Sequence, residues 1–119
     1  MNFNKYTIKS QEAIQEAQLI AQRFGHQQIE NEHIFKAILT IDKNVIPFIL
    51  NKLNINIELL SKILDKQLES FSKVSGANIM LSTITSKMLN EAIIIAQKMN
   101  DEYVSIEHLL LAIFKSNSK

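Results

Sequence analysis

Residues 7–39 read TIKSQEAIQEAQLIAQRFGHQQIENEHIFKAIL, and residues 82–114 read STITSKMLNEAIIIAQKMNDEYVSIEHLLLAIF. The second stretch lies on the first at a constant offset of 75, with no gap. Glu16-Ala17 falls on Glu91-Ala92, Ile20-Ala21-Gln22 on Ile95-Ala96-Gln97, Glu32-His33 on Glu107-His108, and Ala37-Ile38 on Ala112-Ile113. Nine of the 33 paired positions are identical, and most of the others exchange like for like. A repeated unit usually cannot bury its apolar face alone and does so against its copy. Two units are too few for a solenoid, so the pattern predicts a compact pair related by a pseudo-twofold axis.

Each copy reads as helices. The chain has only two Gly and one Pro in 119 residues, too few for many tight hairpins, whereas helices need little of either. Thr7 is a good N-cap for a first helix. Ala13, Ile14, Ala17, Ile20, Ala21 and Phe24 follow at helical spacing, and Gly25 supplies a left-handed stop. A second helix is expected to start near Glu30-Asn31 and to turn Ile34, Ile38 and Ile41 inward, ending at Asp42-Lys43-Asn44. Asn44 is the expected cap of a third helix over Val45 to about Lys52, with Pro47 tolerated in its first turn. Asn56 is the expected cap of a fourth, bearing Ile57, Leu60, Ile63, Leu64 and Leu68. Serines and Gly76 between Ser70 and Ala77 mark the connection. In the second copy Ser82 replaces Thr7 as cap, Asn100 replaces Gly25 as stop, and Ser105 caps the last helix, Ile106 to about Lys115.

The expected fold is therefore all-α, two pseudo-twofold-related repeats of four and then two or more helices in an orthogonal-type bundle. It forms a single domain over residues 1–119. The first repeat spans about 1–71, the linker about 72–81 and the second repeat about 82–119, lacking counterparts of helices three and four.

The copies differ in a directed way. Helix one carries Gln18-Leu19-Ile20 where helix five carries Ile93-Ile94-Ile95, and helix two carries Phe35-Lys36 where helix six carries Leu110-Leu111. Three consecutive residues span about 200° of a helix, so Ile93 and Ile94 fall outside the stripe that Ile95 inherits from Ile20. This surplus packs against the first unit, or else forms an apolar groove for extended partner chains, as large exposed apolar patches often do.

Composition closes several doors. Apolar content of 46% with 21% charge is ordinary for a soluble globular domain. The net charge is +1 and the lysines are dispersed, which leaves no electrostatic footprint for nucleic acid or an anionic membrane. There is no cysteine, hence no disulfide or thiol chemistry, and the N-terminus has no apolar signal region, so the expected location is the cytoplasm. No phosphate-binding glycine loop and no zinc-ligand spacing occur, so neither a cofactor nor a metal is expected. Glu32-His33 and Glu107-His108 are the tempting pairs. Neighbours on a helix diverge by about 100°, which makes each a poor chelate. Their plain reading is a first-turn glutamate favoured by the helix dipole, by about 0.3–1 kcal/mol, beside a histidine facing a neighbouring helix.

Phe3-x-x-Tyr6-Thr7, Ala17-Gln18, Gly25-His26-Gln27-Gln28-Ile29, Glu32-His33-Ile34 and the second-copy run from Asp101 to Ile113 together resemble the N-terminal domains of Clp ATPases. Within that family, Ile29 to Ile34, Asn44-Val45-Ile46-Pro47 and Leu64 to Leu68 are most similar to the ClpB disaggregase branch. The resemblance implies a non-catalytic, mobile module that recruits unfolded or aggregated clients, or adaptors. ATP and magnesium would be confined to separate ATPase modules of a homohexameric parent. It implies client contacts at Thr7, Ser82, Asp101 and Glu107, with Ile94, Ile95 and Leu110 in an apolar groove of the second repeat. In the ClpC branch it implies instead a phosphoarginine or adaptor contact at Glu32 and Glu107. Exposure of Leu110, Leu111 and Phe114 would leave the isolated chain a monomer or weak dimer.

Overall fold

The computed structural model describes residues 3–74 and 78–116, so Gly76 and the rest of the expected linker centre lie outside the described residues. A short 3-10 turn, Phe3–Lys5, leads into α1 (Ile8–Phe24), β1 (Gln28–Ile29), α2 (Asn31–Ile41), α3 (Val45–Lys52), α4 (Ile57–Ser70), β2 (Met80–Leu81), α5 (Thr83–Lys98) and α6 (Ile106–Ser116). The repeat is visible atom by atom. Thr7 Oγ1 accepts the Ser10 N–H at 3.1 Å, and Ser82 Oγ accepts the Thr85 N–H at 3.1 Å, each satisfying one orphan donor of its helix. At the far ends Gly25 (φ 75°) and Asn100 (φ 60°) both turn left-handed. His26 N–H then reaches back to the Ala21 carbonyl at 2.8 Å, as Asp101 N–H does to Ala96 at 2.9 Å.

The two copies interlock rather than merely touch. β1 pairs in parallel with β2, Ile29 opposite Leu81, and an isolated parallel bridge joins Tyr6 to Val104. These two pairings are the same contact seen from each copy, since Tyr6 matches Leu81 and Ile29 matches Val104 at the offset of 75. The segment entering each copy's first helix thus pairs with the loop between the other copy's two helices. Thr7 N–H donates to the Val104 carbonyl at 2.9 Å, and Ser82 N–H to the Ile29 carbonyl at 3.1 Å.

One continuous core results. Ala13, Ala17 and Ala21 give α1 a small-residue face on which α2 packs; Ala92 and Ala96 do the same on α5 for α6, with the larger Met88 in place of Ala13. α2 also meets α5 and α6 across the repeat boundary, where Phe35 and Phe114 make an edge-to-face pair at 6.0 Å. A polar thread runs from the buried interior to the surface across the same boundary: Thr85 Oγ1 donates to Asn31 Oδ1 at 2.8 Å, and Asn31 Nδ2 donates to Ser116 Oγ at 3.0 Å.

The structure corrects three local expectations. Asn44 does not cap α3; its backbone is itself helical in φ and ψ, and the buried Asp42 instead accepts the Ile46 N–H through Oδ2 at 2.7 Å. Ile63 is not core. Leu64 and Leu68 fill the buried stripe of α4, and Ile63, about 100° round the helix, is 46% exposed beside Leu59 one turn earlier. The third concerns Leu110, described below.

Candidate functional site

The pseudo-twofold interlock sorts the candidate residues into two edges. Thr7, fixed through its backbone to Val104, stands at the edge formed by the α5–α6 loop, which carries Asp101, and by the first turn of α6, which carries Glu107. Ser82, fixed in the same way to Ile29, stands at the other edge, with the α1–α2 loop and Glu32. The backbone pairing therefore joins Thr7 to the Asp101–Glu107 segment and places Ser82 with the symmetry-equivalent set.

Each cap is reinforced by a histidine. His33 and His108 occupy the third helical position of α2 and α6, and each ring Nδ1 accepts the N–H of the residue just before its helix: Glu30 at 2.8 Å and Ser105 at 2.9 Å. This is the reciprocal half of a capping box, with imidazole in place of the usual Glu or Gln. Because Nδ1 accepts, the proton sits on Nε2. His108 Nε2 donates to Asp101 Oδ2 at 2.8 Å, and His33 Nε2 donates to His26 Nδ1 at 2.8 Å. Asp101 and His26 are themselves matched by the offset of 75. The histidines of the two Glu-His pairs thus serve as local braces. Among the described residues no group of three or more His, Asp or Glu is placed to hold a metal ion.

On the second copy, Ile94 is 42% exposed while Ile93 and Ile95 are half-buried against the core. Leu111 is 45% exposed, but Leu110 is 2% exposed. Leu110 matches the buried Phe35 and lies inward, so it is a core residue and not an accessible groove wall. Leu111 matches Lys36, whose ammonium bonds Ser61 at 2.6 Å and Asp65 at 3.0 Å on α4. The second copy thus puts an apolar side chain where the first makes a polar contact. Nearby, α5 and α6 bound a cleft of about 230 Å³ lined by Lys87, Met88, Glu91, Ala112 and Lys115, bridged by the Lys115–Glu91 ion pair at 2.8 Å.

Sequence reading missed a second apolar surface. α2, α4 and α6 enclose a cleft of about 300 Å³ lined by Glu32, Phe35, Leu60, Ile63, Leu64 and Ile113. Glu32 also borders a smaller cleft of about 190 Å³ with Phe71 and Ile84. The signal available for this surface was Ile63 beside Leu59, two apolar residues off the main stripe of α4.

This two-repeat, all-α architecture is that of the Clp N-terminal domains. The chain belongs to the Clp repeat (R) N-terminal domain family, whose model matches residues 5–119. It is 44% identical over 118 residues to the chaperone protein ClpB of Bacteroides thetaiotaomicron, covering 99% of this chain and 14% of that protein. It is 41% identical over 113 residues to ClpB of Porphyromonas gingivalis, covering 95% of this chain and 13% of that protein. The chain thus spans about a seventh of the length of these relatives. Its fold is similar to the Hsp104 N-terminal domain from Candida albicans, with a TM-score of 0.86 at 19% identity over 95% of this chain and 75% of that one. It is equally similar to the N-terminal domain of the ClpV1 ATPase from E. coli, with a TM-score of 0.86 at 17% identity over 95% and 69%. Among the described residues no helix is long and apolar enough to cross a membrane.

Proposed function

We propose that this domain recruits substrates for an ATP-dependent, ClpB-type disaggregase by capturing exposed apolar segments of unfolded or aggregated proteins on the α5–α6 face. The observation that carries this reading is Leu111: an exposed leucine stands where the sister copy has a lysine engaged by its own α4. Ile94 is a further exposed apolar group on the same copy, matched on the first copy by the similarly exposed Leu19, with the half-buried Ile95 next to it. Thr7, Asp101 and Glu107 supply a polar rim at one end, suited to orienting the backbone of an extended segment, while Ser82 holds the equivalent place at the other edge. An apolar side chain contributes about 1.5–3 kcal/mol when fully buried, and association costs offset much of that. Two partly covered side chains give weak capture, which suits a module that must release its client. Hexameric assembly and ATP hydrolysis by a parent protein, and cytoplasmic location, are part of the same proposal, with kinship to ClpB as their support.

Leu111→Lys, which restores the residue type of the first copy, is expected to weaken binding of a permanently unfolded client at least fivefold by fluorescence anisotropy. Its melting temperature should stay within about 2 °C of the parent, as for other exposed substitutions. Unchanged affinity in a folded variant would remove Leu111 from the docking face.

A second reading is favoured by Glu32. This half-buried carboxylate borders two clefts and makes no ion pair among the described residues. It could receive a cationic group such as phosphoarginine or an adaptor side chain, as in ClpC-type domains.

A further inference from the structure

The two copies brace their α2 and α6 caps with the same histidine but with different partners, and the difference has a chemical consequence. In the second copy the acceptor is the Asp101 carboxylate, which carries negative charge and offers only lone pairs. In the first copy it is another imidazole, His26. The first copy therefore contains a one-way chain of neutral groups: Glu30 N–H to His33 Nδ1, His33 Nε2–H to His26 Nδ1. His26 Nε2–H is buried and turned toward the Leu68 carbonyl at the end of α4, a weak contact outside good hydrogen-bond geometry that favours a proton on the ring. His33 is fully buried and His26 is 4% exposed.

Such a chain has no place for an added proton. A proton on His26 goes to Nδ1 and meets the His33 Nε2–H head-on. A proton on His33 goes to Nδ1 and meets the Glu30 N–H. Exchanging the His33 tautomer only moves the clash from one end to the other. In the second copy an added proton on His108 also lands on Nδ1, but there Ser105 Oγ lies 3.0 Å away and can rotate to accept it, while Asp101 balances the charge.

What the His26–His33 pair holds is specific. Phe24 stacks on His26 at 5.3 Å, and Phe71 lies edge-on to His26 at 5.4 Å and tilted against His33 at 5.7 Å. The strap after α4 is also tied down by Val74 N–H to the Gly25 carbonyl at 2.9 Å. The charged groups facing the pair give it little relief. Lys73 on the strap opposes any positive charge on His26, and the Glu30 carboxylate, which turns to the His33 backbone N–H at the α2 cap and lines the adjoining cleft of about 270 Å³, bonds neither ring. On α1 and α4 the neighbours are Phe24 and the Leu68 carbonyl.

We propose that the His26–His33 pair is a proton-sensitive latch: uptake of a proton releases the 71–74 strap from the first copy and opens the cleft beneath Phe71, while the second copy's cap stays closed. Burial lowers both histidines, and burial with the neighbouring His26 brings His33 to about 4 from its ordinary 6.5. The closed form is the neutral one and the released form takes up protons near 6.5. Closure is therefore complete above that value and is lost progressively as pH falls from about 6.5 toward 4.

Amide hydrogen exchange of the whole chain between pH 7.5 and 4.5, corrected for intrinsic rates, tests this. Protection at Val74 and Glu30 is expected to fall about tenfold to a hundredfold per pH unit below 6.5, the slopes of one and of two linked protons, while protection at Ser105 and Asp101 holds. In His26→Asp, which supplies the charge balance of the second repeat but leaves the Glu30 N–H facing His33 Nδ1, the acid response should shrink markedly. Nitrogen NMR of the imidazoles gives a readout that does not depend on any variant folding. It should report both rings neutral with the proton on Nε2 at pH 7, and the same pH at which Val74 loses protection should mark their protonation. Equal acid responses of Val74 and Ser105, an unaltered response in folded His26→Asp, or protons on Nδ1 at neutral pH would each overturn the latch.

Discussion

Leu110→Ala is expected to cost about 2–5 kcal/mol, the range for truncating a fully buried leucine whose cavity does not collapse. Leu110 is 2% exposed, in the same core cluster as Phe35, Leu109 and Ile113. A domain of this size has about 5–15 kcal/mol in hand, so the loss removes a large share of it. Calorimetry should show a melting temperature lower by on the order of 10 °C or more. A variant that melts like the parent but binds client poorly would return Leu110 to the docking face, where the sequence reading placed it.

Ile94→Asp should do the opposite. A charge on a 42% exposed side chain can remain hydrated in the free domain, so helicity and melting temperature change little. Covering that same carboxylate with an apolar client segment is costly, because a desolvated unpaired charge finds no compensation there. Affinity for an unfolded client is expected to fall tenfold or more, below detection in a weak system. If the variant unfolds, Ile94 is structural and the face is not a docking surface. The pair of variants therefore separates core from contact on one short stretch of two helices.

The reasons the sequence disclosed so much, and no more, are physical. The offset of 75 exposed the repeat because caps and stops demand particular residue types: a hydroxyl at Thr7 and Ser82, a left-handed residue at Gly25 and Asn100. Those positions read correctly because each requirement is local. Asn44 misled because capping depends on backbone angles, and a residue already helical there leaves the role to Asp42. Leu110 and Leu111 are adjacent and chemically alike, so composition alone does not say which one faces inward; the matched pair Phe35-Lys36 held that answer, since only the lysine must stay near water. The interlocking Tyr6–Val104 and Ile29–Leu81 pairings were illegible because pairings this short have no alternation to read. The histidine braces were hidden because His at the third helical position is not the usual capping-box residue, although the match of His26 to Asp101, each seven residues before its histidine, was present in the repeat.

The same interlock separates the candidate polar residues. Thr7, Asp101 and Glu107 belong to one edge and Ser82 to the other, so a single client segment held by the first three would leave Ser82 and Glu32 to a second, pseudo-equivalent mouth. Two mouths of differing character, one beside an apolar Leu111 and one beside a lysine-bearing face, fit a domain whose copies have diverged from a common unit.

The most direct measurement is a two-dimensional amide NMR titration of the chain with a permanently unfolded protein. Capture on the α5–α6 face predicts saturable shifts confined to residues around Ile94, Leu111 and the Asp101–Glu107 edge, and absent from Leu59, Ile63 and Glu32. No shifts there at high client concentration, together with shifts around Glu32 on adding phosphoarginine, would contradict client capture and establish the cation-docking reading in its place.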